Sequence, residues 1–275
     1  MQEQQESPRV AELKADDEAD AERRFGGLRR LYGQSSYARL RGAHVAVVGL
    51  GGVGSWAVEA LARSGVAALT LIDLDQVAES NINRQVQALG STVGLAKVEA
   101  LRARIRDIHP DCRVRVIEEF VTEDNWPGLL GESGLALDGL IDACDQVRAK
   151  AVLAAWARAQ QLPFVTVGAA GGKREPHLLS VADLADVTHD PLSASLRQRL
   201  RKQYGAPRSG KLGLSCVFSR EAVHLPAAAG EGGEACDVDG TLNCHGYGSS
   251  VMVTASFGMA AAAELVKKIL LGNLR

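Results

Sequence analysis

A glycine-rich turn between an apolar strand and an amphipathic helix is the feature that most constrains how this chain folds. The apolar run 45–48 predicts a buried strand, the sequence GLGGVG at 49–54 follows it directly, and apolar residues at helical spacing occupy 56–62. A second apolar run, 68–72, ends at Asp73. These pieces in this order predict a complete βαβ unit, and therefore an α/β fold built on parallel strands.

The same unit predicts a nucleotide site. Its glycines permit a tight turn, and the helix that follows presents free N–H groups and the positive end of its dipole to a phosphate. Asp73, at the end of the second strand, is placed to accept hydrogen bonds from a ribose. The turn alone does not distinguish a dinucleotide from ATP, and a tight βα turn without a ligand is the other interpretation.

A polar segment after the second strand favours a triphosphate. A dehydrogenase usually proceeds directly to its next helix here, whereas this chain has a series of polar residues: Asp75, Asn81, Asn83, Arg84 and Gln85. A cation and amides beyond the ribose carboxylate suit a triphosphate, whose charge must be neutralised as a bond to phosphorus breaks. Lys97, at the start of the next predicted helix, is placed to reach the same phosphates, although a lone lysine there is commonly solvated.

Two carboxylates near a third strand indicate a place for Mg²⁺. Asp142 follows the apolar run 135–141, at the strand end where ligands bind in open α/β sheets, and Asp145 lies three residues further on. Because Asp145 immediately precedes a predicted helix, we interpret it as a helix cap. Asp142 is then the predicted metal ligand.

The composition predicts one large domain with appendages. Segment 1–22 has few apolar residues and is expected to be disordered or loosely helical, while 23–275 is long enough for one α/β domain. We expect an insertion near 183–211 and a glycine-rich mobile loop near 226–243. The basic, partly aromatic stretch 23–41 is either a helical pair over the domain edge or an arm that completes an active site or meets a second subunit.

Charge and cysteine usage limit the function classes. With 31 basic and 33 acidic residues, any nucleic-acid contact must come from a local patch. The basic helix LRQRLRKQYG is either a solvated helix face or, if the substrate is RNA, a contact to its backbone. The five cysteines include no CxxC pair, which argues against a disulfide framework and a four-thiolate zinc site and favours a reducing cytoplasm.

The ends of the chain indicate no membrane insertion. The N-terminus is polar and lacks the apolar region of a signal peptide. Stretch 249–271 is interrupted by polar residues and predicts a buried or interface helix, with a membrane span as the less favoured interpretation. Cys244 and His245 precede it, either as a nucleophile with its base or with no such role, because adjacent side chains seldom face each other.

Taken together, these motifs resemble the ubiquitin-activating-enzyme-like (ThiF/MoeB/HesA) adenylate-forming superfamily. The resemblance rests on GLGGVGSWAVEALARSGV, LIDLDQV, NINRQ, VGLAKVE and IDACD. It implies a Rossmann-like, mainly parallel sheet with helices on both faces and a C-terminal extension. RFGGLRRLYG, DPLSASLRQRLRKQYG, GKLGLSCVFSREAV and GYGSSVMVTASFG further resemble one branch, the tRNA threonylcarbamoyladenosine dehydratases.

This resemblance implies roles for individual residues. Arg84 would stabilise charge as pyrophosphate leaves, Lys97 would pair with the phosphates, and Asp142 would hold Mg²⁺. Cys244 matches a cysteine that the family links to sulfur-relay partners. The implied ATP-binding residues are Gly49, Gly51, Gly52, Gly54, Asp73, Asp75, Asn81, Arg84, Gln85 and Lys97.

The implied activity is ATP-dependent cyclisation of threonylcarbamoyladenosine beside the tRNA anticodon, through adenylation of its threonyl carboxylate. It implies ATP and Mg²⁺ without zinc, a tRNA substrate, a homodimer, and contact with a cysteine desulfurase or sulfur-acceptor protein. Sulfur-carrier adenylyltransferases, which usually carry two zinc-binding CxxC pairs, are the nearest alternative, and a non-catalytic nucleotide-binding scaffold is another. A dehydrogenase would leave Asn81, Arg84 and Lys97 unexplained, and Gly27 departs from the arginine usual in sulfur-carrier activators.

Overall fold

A computed structural model describes residues 8–131, 136–224 and 247–271 of the chain. The helices are α1 (Pro8–Tyr32), α2 (Gln34–Gly42), α3 (Gly54–Arg63), α4 (Lys97–Ile108), α5 (Val147–Ala159), α6 (Pro191–Gln203) and α7 (Val251–Leu271). The strands are β1 (His44–Val48), β2 (Ala68–Ile72), β3 (Arg113–Ile117), β4 (Gly139–Asp142), β5 (Phe164–Val167), β6 (Leu179–Asp183) and β7 (Ser215–Ser219).

The strands form one sheet in the order β3-β2-β1-β4-β5-β7-β6. All neighbours are parallel except β6, which pairs antiparallel with β7 at one edge. The chain leaves β1 first toward β2 on one side and later returns to β4 on the other. This reversal opens a crevice at the carboxyl ends of β1 and β4, where ligands bind in doubly wound sheets.

Helices cover both faces of the sheet, as the sequence predicts. Alternate residues of β1 show this, because Val45 and Val47 pack with α3, α4 and α7, whereas Ala46 and Val48 pack with α5 and α6. All four side chains are essentially inaccessible to solvent. A strand buried on both faces reads as a continuous apolar run, which is why 45–48 lacks polar alternation. The predicted Rossmann-like α/β fold is confirmed.

The basic N-terminal stretch packs as a helical pair against the domain edge. Phe25 and Leu40 are buried, and the guanidinium of Arg41 lies 4.9 Å from the centre of the Phe25 ring. Arg24 donates from Nη1 to the carbonyl oxygens of Asp107 and Ile108, at the end of α4, at 3.3 Å each. Residues 1–7 lie outside the described residues, and α1 covers the rest of the segment expected to be loosely helical or disordered.

Helix α7 is a structural part of the first βαβ unit. Its apolar face, which includes Val253, Phe257 and Leu265, is buried against the sheet and α3. Stretch 249–271 is therefore the buried helix that the sequence predicts. None of the helices in the described ranges is both long and apolar enough to cross a bilayer.

We expect Gly258→Ala to lower the free energy of unfolding by about 1–3 kcal/mol, as overpacking does. A Cβ atom at Gly258 would lie 2.4 Å from the carbonyl oxygen of Val53 and 2.7 Å from Cβ of Trp56, so α7 would have to move away from α3. Urea denaturation measures the change. Gly42→Ala, in an exposed helical position with no atom within 4 Å of the added Cβ, is the control and should be neutral or slightly stabilising. Equal losses in both variants would contradict the packing argument.

Candidate nucleotide-binding site

A cleft of about 350 Å³ opens at the carboxyl ends of β1, β2, β4 and β5. This volume is in the range of small-molecule sites. Residues predicted from the sequence to bind a nucleotide line it: Gly49, Gly51, Gly52, Asp73, Asp75, Asn81, Arg84, Gln85 and Lys97. The fold thus brings together residues that are up to 48 positions apart in the sequence, and all come from the first half of the chain.

The glycine turn is shaped by backbone contacts. Gly49 has a φ of +83°, and a Cβ atom there would lie 2.7 Å from the backbone nitrogen of Cys144. A Cβ atom at Gly54 would lie 1.8 Å from the carbonyl oxygen of Gly49. Gly54 therefore does not line the cleft but lets α3 begin directly against the turn. At Gly51 the nearest atom to an added Cβ, on Gln85, is 4.0 Å away, which leaves room for a ligand.

Asp73 is held by two backbone donors at the end of β2. The Leu50 N–H donates to Oδ2 at 2.6 Å and the Asp75 N–H to Oδ1 at 2.8 Å. Burial raises the pKa of this carboxyl, and the nearby Lys97 ammonium and the two N–H donors offset only part of that effect. Because both oxygens are fixed, the carboxylate presents its remaining lone pairs to the cleft in one orientation.

Lys97 is buried in the wall of the cleft, not solvated at a helix start. Its Nζ atom lies 2.6 Å from Oδ2 of Asp75 and 3.9 Å from Oδ1 of Asp73. Only 6 % of Lys97 is exposed, whereas Asp75 is largely exposed. The ammonium is thus held between two carboxylates, one buried and one exposed to solvent.

Arg84 is positioned by its own backbone as well as its side chain. Its carbonyl oxygen accepts hydrogen bonds from Nε1 of Trp56 at 2.9 Å and from Oγ1 of Thr254 at 3.3 Å. Nη1 donates to the Ser80 carbonyl at 2.6 Å and to Oδ1 of Asn83 at 3.0 Å. Burial lowers the pKa of Arg84, but a guanidinium stays charged at neutral pH. A fixed cation therefore lines the cleft.

The structure does not give Asp142 the environment of the predicted metal ligand. Asp142 is completely buried beneath the cleft, and Oδ2 lies 3.0 Å from Nζ of Lys150 and accepts from Oγ1 of Thr166 at 2.6 Å. Oδ1 accepts from the thiol and the backbone N–H of Cys144. This carboxylate is neutralised and hydrogen bonded on both oxygens and is not among the residues that line the cleft, so it supports the loop that follows β4.

Asp145 is the carboxylate that lines the cleft on this side. The residue that caps α5 is Gln146, which makes no side-chain capping hydrogen bond, so the predicted capping role of Asp145 is not found. The positions of the two aspartates explain why only Asp145 lines the cleft. Asp142 is the last strand residue and points into a layer of helices, whereas Asp145 lies on the loop above it.

Lys150 and Cys144 complete a buried polar cluster with Asp142. Lys150 donates from Nζ to the Cys144 carbonyl at 3.0 Å. Burial alone lowers the pKa of Lys150, but the Asp142 carboxylate more than offsets this, so the lysine is charged. Burial, followed by the Asp142 charge, raises the pKa of Cys144 well above its usual value. The thiol of this cysteine in the cleft wall donates to the Asp142 carboxylate, which favours its protonated form.

Residues that the sequence analysis did not select form the far side of the cleft, namely Gly168–Gly171, Leu192, Tyr247 and Ser249. Asp190 fixes this side from behind, accepting from the Ala169 N–H at 2.8 Å while capping α6 through the Ser193 N–H at 2.7 Å. An aspartate followed by proline at a helix start is a capping signal that the sequence contained. Cys244 and the loop expected near 226–243 lie outside the described residues.

Comparison with known proteins agrees with this geometry. The family model described as the ThiF family matches residues 26–273. The chain therefore belongs to the ThiF family.

Two relatives that match nine-tenths of this chain share one name. The tRNA threonylcarbamoyladenosine dehydratase of Escherichia coli K12 is 46 % identical over 256 residues, which cover 90 % of this chain and 93 % of that protein. That of Haemophilus influenzae is 41 % identical over 252 residues, covering 90 % and 94 %. A crystal structure of the E. coli dehydratase in complex with ATP superposes with a TM-score of 0.80 at 45 % identity, covering 91 % of this chain and 95 % of that one. The resemblance to the dehydratase branch is confirmed.

We expect Lys150→Met to lower the free energy of unfolding by about 3–5 kcal/mol, because it leaves the Asp142 carboxylate buried without its cation. The double variant Lys150→Met/Asp142→Asn should lose less than the sum of the two single losses, since it removes both charges. Urea denaturation of all three variants gives these values. Arg23→Gln, which removes one partner of an exposed ion pair with Asp20, is the control and should leave the free energy of unfolding almost unchanged. Additive effects of the two buried substitutions would show that the pair is not coupled.

Proposed function

We propose that this protein catalyses the ATP-dependent dehydration of threonylcarbamoyladenosine in tRNA, next to the anticodon, through adenylation of the threonyl carboxylate. The main observation in support of this proposal is the cleft at the carboxyl ends of β1 and β4. There the fixed carboxylate of Asp73 and the cations Lys97 and Arg84 line one cavity. The similarity to dehydratases over nine-tenths of the chain supports the substrate. Each of these features suits ATP held for attack at phosphorus.

The chemistry requires positioning and charge stabilisation more than acid–base groups. The threonyl carboxylate attacks the α-phosphorus of ATP, and the bond between this phosphorus and the oxygen that bridges to the β-phosphate breaks. Pyrophosphate departs, and the product on the nucleoside is an acyl adenylate. A nitrogen or oxygen of the neighbouring carbamoyl group then displaces AMP and closes the ring, so that the nucleoside loses one water in total. Arg84 and Lys97 would stabilise the negative charge that develops on the departing pyrophosphate.

Ring closure is intramolecular and needs no protein nucleophile. This agrees with the cleft, where Cys144 is held as a thiol by Asp142. The proposed role of Asp73 is to accept hydrogen bonds from the ribose, since its fixed carboxylate faces the cleft at the end of β2. Asn81, whose Oδ1 accepts from the Ala78 N–H, would present its amide N–H groups to the phosphates.

The residues present fit a magnesium ion bound together with the substrate. Mg²⁺ commonly takes one or two carboxylates plus substrate phosphate oxygens. Asp145 offers one carboxylate in the cleft, and within the described ranges no group of three or more histidine, cysteine, aspartate or glutamate side chains is arranged to hold a metal. We therefore assign the role predicted for Asp142 to Asp145. When bound, the ion would neutralise phosphate charge.

We further infer a homodimer in the cytoplasm. Met252 and Met259 on α7 and Leu31 on α1 are exposed by 62 %, 40 % and 70 %, and a subunit interface would cover these apolar side chains. The tRNA substrate and the absence of paired CxxC motifs support the compartment. A sulfur-relay partner at Cys244 stays a prediction from the sequence.

Incubation of the protein with ATP, Mg²⁺ and tRNA that carries threonylcarbamoyladenosine should give an ATP-dependent loss of one water from that nucleoside. Mass spectrometry of the digested tRNA detects it. Arg84→Ala should lower the rate by about 10²-fold or more, because a fixed charge in the cleft is lost. Glu79→Gln, an exposed change in the same segment, should leave the rate unchanged.

Two results would contradict the proposal. The first is no loss of water together with ATP–pyrophosphate exchange that needs a sulfur-carrier protein, which would indicate the adenylyltransferase alternative. The second is ATP binding with neither reaction, which would indicate a scaffold. Normal cyclisation by Arg84→Ala would leave the dehydratase assignment intact and remove only the proposed role of this arginine.

Asp145→Asn should raise the Mg²⁺ concentration needed for half-maximal activity by on the order of tenfold or more, with little change in stability. Asp142→Asn should instead lower the free energy of unfolding, because Asp142 balances the buried Lys150. Magnesium titration of the activity and urea denaturation of both variants separate the two roles. If Asp142→Asn shifted the magnesium requirement and Asp145→Asn did not, the original assignment of the metal to Asp142 would hold.

A further inference from the structure

Outside the nucleotide cleft, α6 and the turn that follows it form a second concave surface, here termed the α6 groove. Its cations are Arg197, Arg201, Lys202 and Arg208, and small or amide side chains make up the rest of its lining. Arg197 and Arg201 are one turn apart on α6, Lys202 follows Arg201, and Arg208 lies beyond the end of the helix. The opposite side of α6, with Leu196 and Leu200, is buried in the core.

Hydrogen bonds to carbonyl groups hold the groove in shape. Arg197 donates from Nη1 to the carbonyl oxygens of Leu184 and Val187, at 3.0 Å each. Arg201 donates from Nε to the Pro207 carbonyl at 3.1 Å, which brings the following residue, Arg208, back beside the helix. Among the described residues, none accepts a hydrogen bond from the terminal nitrogens of Arg201.

The positive charge of the α6 groove is not neutralised within the described part of the protein. None of its four cations forms an ion pair with a described carboxylate, whereas Arg199 on the neighbouring face of the helix pairs with Glu123 at 3.6 Å. The helix dipole favours Arg201 and Lys202 in the last turn, but it does not account for Arg197 or Arg208. A groove with several unpaired cations attracts a polyanion.

Helix α6 contributes to both the nucleotide cleft and the α6 groove, but from different sides. Leu192, on the buried side of the helix with Leu196 and Leu200, lines the cleft, whereas Ala194 and Arg201 line the groove. Arg201 lies nine residues beyond Leu192, which is about 14 Å along the helix axis. One RNA molecule that reached both surfaces would therefore contact α6 from two sides.

We propose that the α6 groove binds the sugar–phosphate backbone of the RNA substrate while the reacting nucleoside occupies the cleft. This inference rests on the proposed function. No aromatic side chain lines the groove in the described residues, so it offers phosphate contacts without a surface for base stacking. The binding is therefore independent of base sequence and strongly dependent on salt.

Fluorescence anisotropy with a labelled anticodon stem–loop RNA, over a series of KCl concentrations, tests the groove. Arg201→Gln/Arg208→Gln should weaken binding about tenfold or more at low salt. The slope of the logarithm of affinity against the logarithm of salt concentration should become shallower by about 1.4–1.8, corresponding to two lost phosphate contacts. The affinity for ATP, measured without RNA, should not change.

Matched variants separate the groove from general surface charge. Arg106→Gln/Arg158→Gln removes two exposed cations from the last turns of α4 and α5 and should keep wild-type RNA binding. Arg201→Lys/Arg208→Lys keeps both charges and should restore the slope. Wild-type affinity and slope in the glutamine variant, or an equal loss in the Arg106/Arg158 control, would overturn the proposal.

The same experiment distinguishes this inference from the proposed function. If the wild-type protein dehydrates the tRNA but the glutamine variant binds RNA normally, only the groove assignment is overturned. If the wild-type protein binds the RNA without dehydrating it, the proposed function fails, and the slope comparison still decides whether the groove binds RNA. In a functional groove, the glutamine variant raises the KM for tRNA while the KM for ATP stays constant.

Discussion

The rest of the site depends on one backbone contact, the approach of Gly54 to the carbonyl group of Gly49. Because a Cβ atom would lie 1.8 Å from that oxygen, only glycine lets α3 begin immediately after β1. The turn then reaches the loop after β4, where Gly49 contacts the backbone of Cys144, and the end of β2, where the Leu50 N–H bonds to Asp73. One tight turn thus fixes three strand ends relative to one another.

The sequence predicted the fold and most of the cleft because the relevant signals are local. A strand, a glycine turn, a helix and a second strand in 45–73 determine a parallel βαβ unit, and strand ends converge on one edge whatever the rest of the chain does. Arg84 and Lys97 come within 25 residues after the end of β2 in the sequence. Their placement therefore needed little knowledge of distant contacts.

The aspartates at and beyond the end of β4 could not be assigned in the same way, because their roles depend on which way each side chain points. Asp142 ends the strand and meets Lys150, a residue whose position on the inner face of α5 becomes evident only when the helix is docked. A lysine among the alanines of that helix was a signal for a buried partner. The role of Asp190 was missed for a similar reason. Besides capping α6, its carboxylate accepts a hydrogen bond from the N–H of Ala169, which lies twenty-one residues earlier in the sequence.

The packing of α7 on α3 also has a consequence for biosynthesis. The outer face of α3, residues 54–63, is covered by a helix that begins at Val251, and the carbonyl of Arg84 takes one of its hydrogen bonds from Thr254. When the ribosome has synthesised the glycine turn and the two strands around it, the apolar face of this βαβ unit that α7 later covers is still exposed to solvent. Some 190 further residues must be synthesised before α7 covers this face. For most of translation, the nascent nucleotide site therefore exposes hydrophobic surface that chaperones are able to bind.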